Sequence, residues 1–449
     1  MSEKSGNFKR RIKQFFSHDP ANDQWSDTPV PISERLGVWE PTAVWIGFAI
    51  AYVVAFIGAQ IYFGLGMPDA IYAIVLGNAI LVIYSGALAY ASAEGGLNFP
   101  LQVKESFGQI GSLIPIAIMG LLVNGWYAYQ AWLAADVVRA ALNPPWILIA
   151  VGLTILFGIP AILGIEAMSD VVTKVVIPLM VLSAAYMIVV KIVPAWPGIL
   201  NKAAPGDSIP FMVGVGLTWG TFAVSGTATG DIVRFAENTK NALIATVVAF
   251  LICNTGMMIL GAMVAATLPE LSLYFGMLGV LGGIPLIIIA TVSCWSTCDA
   301  CHYGSTMSYT NLHPKITWRI AAVAGLIIAL VAVVTGIISN LLSYLILIGL
   351  LVPPIGGIII GEYFVLRRGD GYNVVRTEDY NLAAIATLII AIAVNYYAFK
   401  NYQQIPTGLA GLFVGVVLYP GMNKLKLSLT EVEALTEREH KQTPVSNDD

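Results

Sequence analysis

Charge is scarce in this sequence. Of 449 residues only 11% are Asp, Glu, Lys or Arg, whereas 57% are hydrophobic. A water-soluble globule could not cover so much apolar surface with so few ionic groups. The formal net charge is -4, and no dense basic stripe is present to neutralise a run of phosphates, which argues against nucleic acid as a partner. Cysteine is scarce too, and Cys253, Cys294, Cys298 and Cys301 all fall within apolar segments. That placement argues against a disulfide framework between outward loops. The polar, Lys-rich start has no short apolar core followed by a small-residue cleavage site, so no cleaved signal peptide is expected.

What is present is a series of apolar runs long enough to cross about 30 Å of hydrocarbon. They fall near 43–65, 70–93, 113–141, 146–165, 171–194, 208–230, 242–267, 283–310, 317–337, 340–366, 382–399 and 405–421. The expected fold class is therefore all-α, a polytopic membrane protein with about twelve transmembrane helices. Lys9, Arg10, Arg11 and Lys13 precede the first run, and Arg234, Lys240, Lys315, Arg319, Arg367 and Arg368 follow in alternate loops. This bias places both termini in the cytoplasm, although Arg139, Lys191, Lys202 and Lys400 lie in the opposite loops. The expected organisation is a cytoplasmic tail over 1–36, one transmembrane domain over 37–423, and a second cytoplasmic tail over 424–449. Neither tail holds enough apolar residues for a core of its own.

The run at 208–230 carries Gly214, Gly216, Gly220, Gly226 and Gly230 among Thr221, Ser225, Thr227 and Thr229. Glycine lets the backbone leave helical geometry, and non-helical backbone at membrane depth is tolerated only where it is buried in protein or lines a cavity. A broken helix is one reading, and small residues for close helix packing is the other. The first run is marked by Gly47 and Gly58, five runs earlier. Interrupted helices in corresponding positions of two halves point to a secondary transporter. The tenth run contains Pro353, Pro354, Gly356 and Gly357, a candidate hinge for a lid.

The most polar apolar run contains "SCWSTCDACHYG" (293–304). Cys298 to His302 matches the C-x-x-C-H pattern of haem attachment, yet covalent attachment needs an accessible segment, and this one is intramembrane. Cys294, Cys298 and His302 share one helix face and include zinc-ligand types, but a fourth ligand is missing from view and cysteine is also an ordinary core residue. Ser293, Ser296 and Thr297 lie within about one turn, so their hydroxyls suit a small hard cation such as sodium. They could equally bond back to their own helix. Asp299 is a carboxylate inside a span, costly unless paired, hydrated or protonated. Asp231 and Arg234 follow the sixth run, where an interfacial or gating pair is expected. In "NGWYAYQ" (124–130), Trp126 and Gln130 stand one turn apart, an aromatic plane beside an amide that suits a planar, hydrogen-bonding solute.

Four segments carry a resemblance: "NGWYAYQ" (124–130), "SGTATGDIVRFAEN" (225–238), "CWSTCDACHYGS" (294–305) and "LVPPIGGIIIGEYFVLRR" (351–368). In this order they resemble the cytosine permease branch of the nucleobase:cation symporter family, over about residues 37–423. The resemblance implies a leucine-transporter-type five-plus-five inverted repeat with broken helices 1 and 6, and cation-coupled uptake by alternating access. It implies that Trp126 and Phe222 sandwich the solute, with Thr221, Gln130, Cys298 and His302 around its polar edge. It implies a sodium site from carbonyls of Gly47 and Ile50 with Ser293, Ser296 and Thr297, or, in a proton-coupled member, a role for Asp299 or His302. Three positions depart from the cytosine permeases: Val123 and Cys298, where they carry amides, and Val224, where they carry serine. By contrast, Gln130 and His302 match positions at which the hydantoin-transporting relatives bind ligand with amides.

The expectation is an inner-membrane symporter for a nucleobase, or for a hydantoin-like or hydroxymethylpyrimidine ring, with sodium as the coupling ion and no organic cofactor. Its partners would be the small planar solute and the lipid bilayer, and no obligate protein partner is evident. It would not be an enzyme. Its rivals are a membrane redox protein built on the C-x-x-C-H segment and a passive channel.

Overall fold

The computed structural model describes residues 25–143, 145–159, 172–268, 283–367 and 378–442, with side chains described as far as Leu425. Lys9, Arg10, Arg11, Lys13 and Arg368, on which the expected orientation partly rests, lie outside the described residues, as do 1–24 and 443–449 of the expected tails and parts of the fourth and fifth apolar runs.

The fold is all-helical. In chain order the helices are α1 (Trp39–Ala49), α2 (Tyr52–Leu65), α3 (Asp69–Gly95), α4 (Phe99–Phe107), α5 (Leu113–Leu142), α6 (Trp146–Gly158), α7 (Lys174–Ala195), α8 (Phe211–Thr221), α9 (Ala223–Thr227) and α10 (Gly230–Val233). Then come α11 (Thr239–Ala266), α12 (Gly283–Thr310), α13 (Trp318–Thr335), α14 (Leu341–Leu366), α15 (Leu382–Asn401) and α16 (Leu409–Gln442). Among the described residues eight of these are long and apolar enough to cross a membrane, and α1 with α2 forms a ninth such span bent by 48°. α6, α8 and the stretch Leu409–Leu425 of α16 are shorter and apolar. Side chains such as Ile83, Leu182, Val189, Ile284 and Phe413 are largely exposed on the outside of the bundle. An apolar exterior of this extent fits lipid rather than water, and the protein is a multi-pass membrane protein.

Small residues set how closely the helices approach. A Cβ at Gly58 of α2 would fall 2.0 Å from the carbonyl oxygen of Met258, and one at Gly261 of α11 would fall 1.9 Å from that of Ala55. The α2 and α11 backbones are therefore in direct contact, as small-residue packing in membranes permits. Asn254 of α11 donates to the side-chain oxygen of Asn78 on α3, an amide pair buried between two apolar helices. The same packing role falls to Gly356 and Gly357, since a Cβ there would lie 1.9 Å from the Tyr84 hydroxyl and 2.4 Å from the Leu412 carbonyl oxygen. Pro353 and Pro354 lie within a continuous helix. In this conformation the expected hinge is a close-packed segment of α14.

Residues 25–36, expected to be part of a loose tail, are strapped onto the bundle. Leu36 pairs with the chain at Phe235 and Glu237 through two backbone hydrogen bonds of 2.6 and 2.8 Å. The Ser26 carbonyl accepts from Asn98 at 2.7 Å and from Asn311 at 2.9 Å, and Arg234 donates to the Trp25 carbonyl at 2.6 Å. Sequence composition missed this because the strap is held by its backbone, whose hydrogen-bonding groups every residue carries. On the same face Arg367 bonds Glu105 at 2.8 Å and Glu362 at 2.9 Å, tying α14 to α4. Burial works against the Arg367 charge, but the two carboxylates outweigh it and its pKa is raised. Lys104 of α4 is 2.8 Å from the Asn311 side chain; burial lowers its pKa, and Asp27 opposes that shift. At the other end of the chain, α16 runs through the expected boundary at 423 without a break.

Candidate functional site

Two helix interruptions meet in the middle of the bundle. α1 ends at Ile50, which leaves helical geometry (φ -93°, ψ 17°), and Ala51 is extended before α2 begins. A break of this kind leaves carbonyls at the end of one helix and amides at the start of the next without helical partners. The first amide of α2 is satisfied from outside, since Tyr52 N–H donates to the Ser293 hydroxyl of α12 at 2.7 Å. The second interruption is at Phe222, with φ -118° and ψ 15°, between α8 and α9. It does not fall on a glycine. Gly214, Gly226 and Gly230 sit instead where the Leu65, Ser85 and Ser92 side chains come within 3 Å of where a Cβ would stand. The two readings of that glycine-rich run therefore both apply, at different residues.

Between the breaks lies a cavity of about 10 Å³ lined by Phe48, Ala51, Val53, Val54, Trp126, Gln130, Thr221, Phe222, Ser225, Thr297 and Cys301. This volume holds about one water, so a ring-sized solute enters only when the aromatic walls part. Phe222 packs on Phe48 and Phe250, with ring centroids 6.4 and 5.3 Å apart. Trp126 lies edge-on to Tyr129 and Tyr344, at 5.9 and 5.5 Å. Gln130 is fully buried, and both its amide oxygen and its amide nitrogen lack a protein partner. A buried amide with neither its donors nor its acceptor satisfied is costly, and it faces a space where a polar ring edge would satisfy it. The Thr221 hydroxyl donates to the Leu217 carbonyl at 2.8 Å, which leaves its lone pairs available.

Two further spaces continue the path. A cleft of about 690 Å³ begins one helical turn beyond the cavity, with Ile57, Tyr129, Leu217 and Leu345 deep in it and Gln60, Asp136 and Asp207 among its polar lining. On the strap side, a space of about 30 Å³ is lined by Trp45, Val123, Asp231, Tyr303 and Gly304. Among the described residues the space is thus wide toward one face and narrow toward the face that carries residues 25–36. Asp231 and Arg234, expected as an interfacial or gating pair, are both buried. The Asp231 carboxylate accepts from Phe99 N–H at 3.0 Å, and Arg234 lies over the Phe235 ring at 4.7 Å. They fasten the backbones of α4 and the strap, which removes them from the solvent where an interfacial pair would sit.

On α12 the helical period sorts the candidates. Thr297 and Cys301, four residues apart, face the cavity. Cys298 and His302 form the adjacent stripe, about 100° round the helix, and do not line it. The Cys298 sulfur is 3.5 Å from the Tyr127 carbonyl of α5. The His302 ring stacks on Tyr127 at 4.9 Å, with its nitrogens 3.1 and 2.8 Å from the carbonyls of Gly158 and Ala322. These two residues, expected at the polar edge of the solute, do not line the cavity in this conformation: they pack α12 against α5, α6 and α13. Cys301 and Ser225 take part in the lining and were missed. Continuing the spacing from Thr297 by one turn would have found Cys301. Among the described residues no group of three His, Cys, Asp or Glu side chains could hold a metal ion.

Of the proposed sodium ligands, Ser296 and Thr297 donate to the Ser293 carbonyl at 3.0 and 3.3 Å. This is the back-bonding alternative, and a hydroxyl that donates keeps lone pairs for a cation. Gly47 and Ile50 lie at the end of α1. Asp299 is buried on another face of α12, with one carboxylate oxygen unpartnered.

Two interrupted helices that meet at a small cavity, open by a cleft to one face and narrow toward the other, define a solute transporter of the broken-helix type. The chain belongs to the permease family for cytosine/purines, uracil, thiamine and allantoin, whose model matches residues 29–417. It is 29% identical over 418 residues to the cytosine permease of Escherichia coli (strain K12), covering 92% of this chain and 98% of that protein. It is 24% identical to the hydantoin permease of Microbacterium maritypicum, covering 83% of each. Its fold is similar to that of Mhp1, a nucleobase-cation-symport-1 family transporter, in a closed conformation with bromovinylhydantoin bound. The TM-score is 0.74, the identity 20%, and the match covers 89% of this chain and 95% of that one.

Proposed function

We propose that this protein imports a nucleobase, cytosine or a related purine or pyrimidine, across the cell (inner) membrane by sodium symport with alternating access. In this reading both termini are cytoplasmic, the chain crosses the membrane twelve times as a five-plus-five inverted repeat with two further helices, and the wide cleft faces outward. The solute lies flat between Trp126 and Phe222, while Gln130 and Thr221 meet its polar edge. The observation that carries this reading is the Gln130 amide, buried beside an aromatic wall with no partner for its oxygen or its nitrogen. An amide offers a donor and an acceptor side by side, as does the edge of a base.

Sodium is held by carbonyls of Gly47 and Ile50 with Ser293, Ser296 and Thr297. It ties the broken helix to α12 and favours the solute-competent state, since only differential affinity for two states shifts the balance between them. Support comes from the Tyr52–Ser293 hydrogen bond, which already joins these two elements. Replacing Ser296, which does not line the cavity, by alanine should weaken sodium-stimulated solute binding about ten-fold, while binding measured in choline stays as in the wild type. Equal losses in both salts would remove this residue from the ion site.

A hydantoin-like ring is the second reading, favoured by the apolar Val123 one turn before Trp126. The test is thermal-shift and tracer binding of a panel of bases, hydantoins and hydroxymethylpyrimidines to purified protein, in sodium or in choline. A solute whose binding is strengthened by sodium supports symport. Binding that ignores sodium and follows pH moves the coupling role to Asp299, whose carboxylate has an unpartnered oxygen, or to His302. Gln130→Leu, which keeps volume and removes the amide, should lower affinity about five- to hundred-fold for ligands that need its hydrogen bonds and little for an apolar ring of the same size.

A further inference from the structure

The turn of α5 that carries Trp126 is gripped from α14. The Tyr344 hydroxyl donates to the Leu122 carbonyl, the same carbonyl that accepts from the Trp126 amide in helical geometry. The Tyr344 ring stands edge-on to the indole, with centroids 5.5 Å apart and planes at 75°. Room for this approach comes from Gly125, where a Cβ would fall 2.6 Å from the Tyr344 hydroxyl oxygen and 3.0 Å from its ring carbons. Three features of one turn, a glycine notch, a backbone acceptor and an aromatic edge, thus receive a single side chain. Asn124 anchors the same turn on another side, donating to the Gly325 carbonyl of α13 at 3.0 Å.

Tyr344 is not among the residues that line the cavity, but its neighbours Leu341, Leu342 and Leu345 line the wide cleft above it. The helix that forms one wall of the cleft is therefore fastened to the backbone turn that presents the stacking ring. We propose that Tyr344 is a positioning residue that holds the Trp126 indole in its solute-stacking orientation and couples it to the seating of α14 against α5. The proposal rests on the solute reading above. A solute lying flat on Trp126 then favours a seated α14, and a seated α14 favours the stacking rotamer, because each limits the freedom the other must give up on binding. Loss of the hydroxyl frees the ring pair to move without removing an atom from the cavity wall.

The experiment compares wild type with Tyr344→Phe, which keeps the ring and removes only the hydroxyl, and with Gly125→Ala, which fills the notch. The readouts are tracer affinity for a panel solute, the sodium-only thermal shift, and the 19F resonance of Trp126 in 5-fluorotryptophan-labelled protein, assigned by its loss in Trp126→Phe. Tyr344→Phe should raise the solute Kd about three- to ten-fold, leave the sodium-only shift unchanged, and move or broaden the Trp126 resonance even without solute. A merely structural tyrosine would lower the melting temperature and leave both the Kd and the resonance alone, and that result overturns the proposal. Should Gly125→Ala fail to fold, Tyr344→Phe still decides, since it adds no atom. If wild type binds nothing in the panel, the solute reading fails, whereas the Trp126 resonance still shows whether Tyr344 positions the indole.

Discussion

Trp126→Ala should raise the solute Kd about ten- to hundred-fold, the largest effect expected of any single change in the cavity. Stacking of a base on an aromatic side chain is worth about 1–3 kcal/mol, and here the indole is almost wholly buried, so little of that contact is shared with water. Trp126→Phe keeps a ring face in the same place and should retain part of the affinity. Tracer binding on purified protein, with melting temperatures to show that both variants are folded, checks the pair. Phenylalanine and alanine variants of equal affinity would mean that the ring packs against its helical neighbours and does not form a stacking wall. Phe222 is less clean to replace, because it occupies the backbone break and contacts Phe48 and Phe250.

The largest effect on stability is expected at the α2–α11 contact. Gly261→Ala puts a methyl carbon 1.9 Å from the Ala55 carbonyl oxygen, and Gly58→Ala puts one 2.0 Å from that of Met258. In both cases the obstacle is backbone and not the flexible end of a side chain, so the helices must separate along their length. Overpacking typically costs about 1–3 kcal/mol and occasionally more; a clash with backbone belongs at the upper end. Gly256 lies on the same helix with nothing within 4 Å of an added Cβ, so Gly256→Ala is the control and should be neutral or slightly stabilising. Melting curves in detergent and the yield of monodisperse protein read the difference. If Gly261→Ala melts with Gly256→Ala, the two helices have slack that the fold does not show. Because α2 follows directly from the first break, a change in its spacing from α11 should also reach Ser293 through the Tyr52 amide.

Much of the architecture was legible in the residues themselves, and the reason is the solvent. In hydrocarbon every backbone group must be satisfied within its own segment, so long apolar runs with little charge can be helices and little else. An interruption of the sixth run was one of the two readings that its residues left open, and the pairing of Trp126 with Gln130 on one face of α5 followed from helical spacing. These are local properties, set by composition and by a period of 3.6 residues. They needed no knowledge of what packs against what.

The remaining assignments depended on packing across the bundle. The sixth run breaks at Phe222 and not at a glycine, while Gly214, Gly226 and Gly230 give room to Leu65, Ser85 and Ser92 from other helices. The stripe of α12 that meets the cavity is Thr297 and Cys301, while Cys298 and His302 turn to α5, α6 and α13. Periodicity groups these residues into stripes but cannot say which stripe faces a neighbour, since the rotation of a helix about its axis is settled by the helices around it. For the same reason Asp231 and Arg234 look interfacial in sequence, yet they are buried, holding the backbones of Phe99 and Trp25. A chain of amino acids carries its own periods and its own solvent preference; the azimuth of each helix, and with it the membership of the site, exists only once the helices have packed.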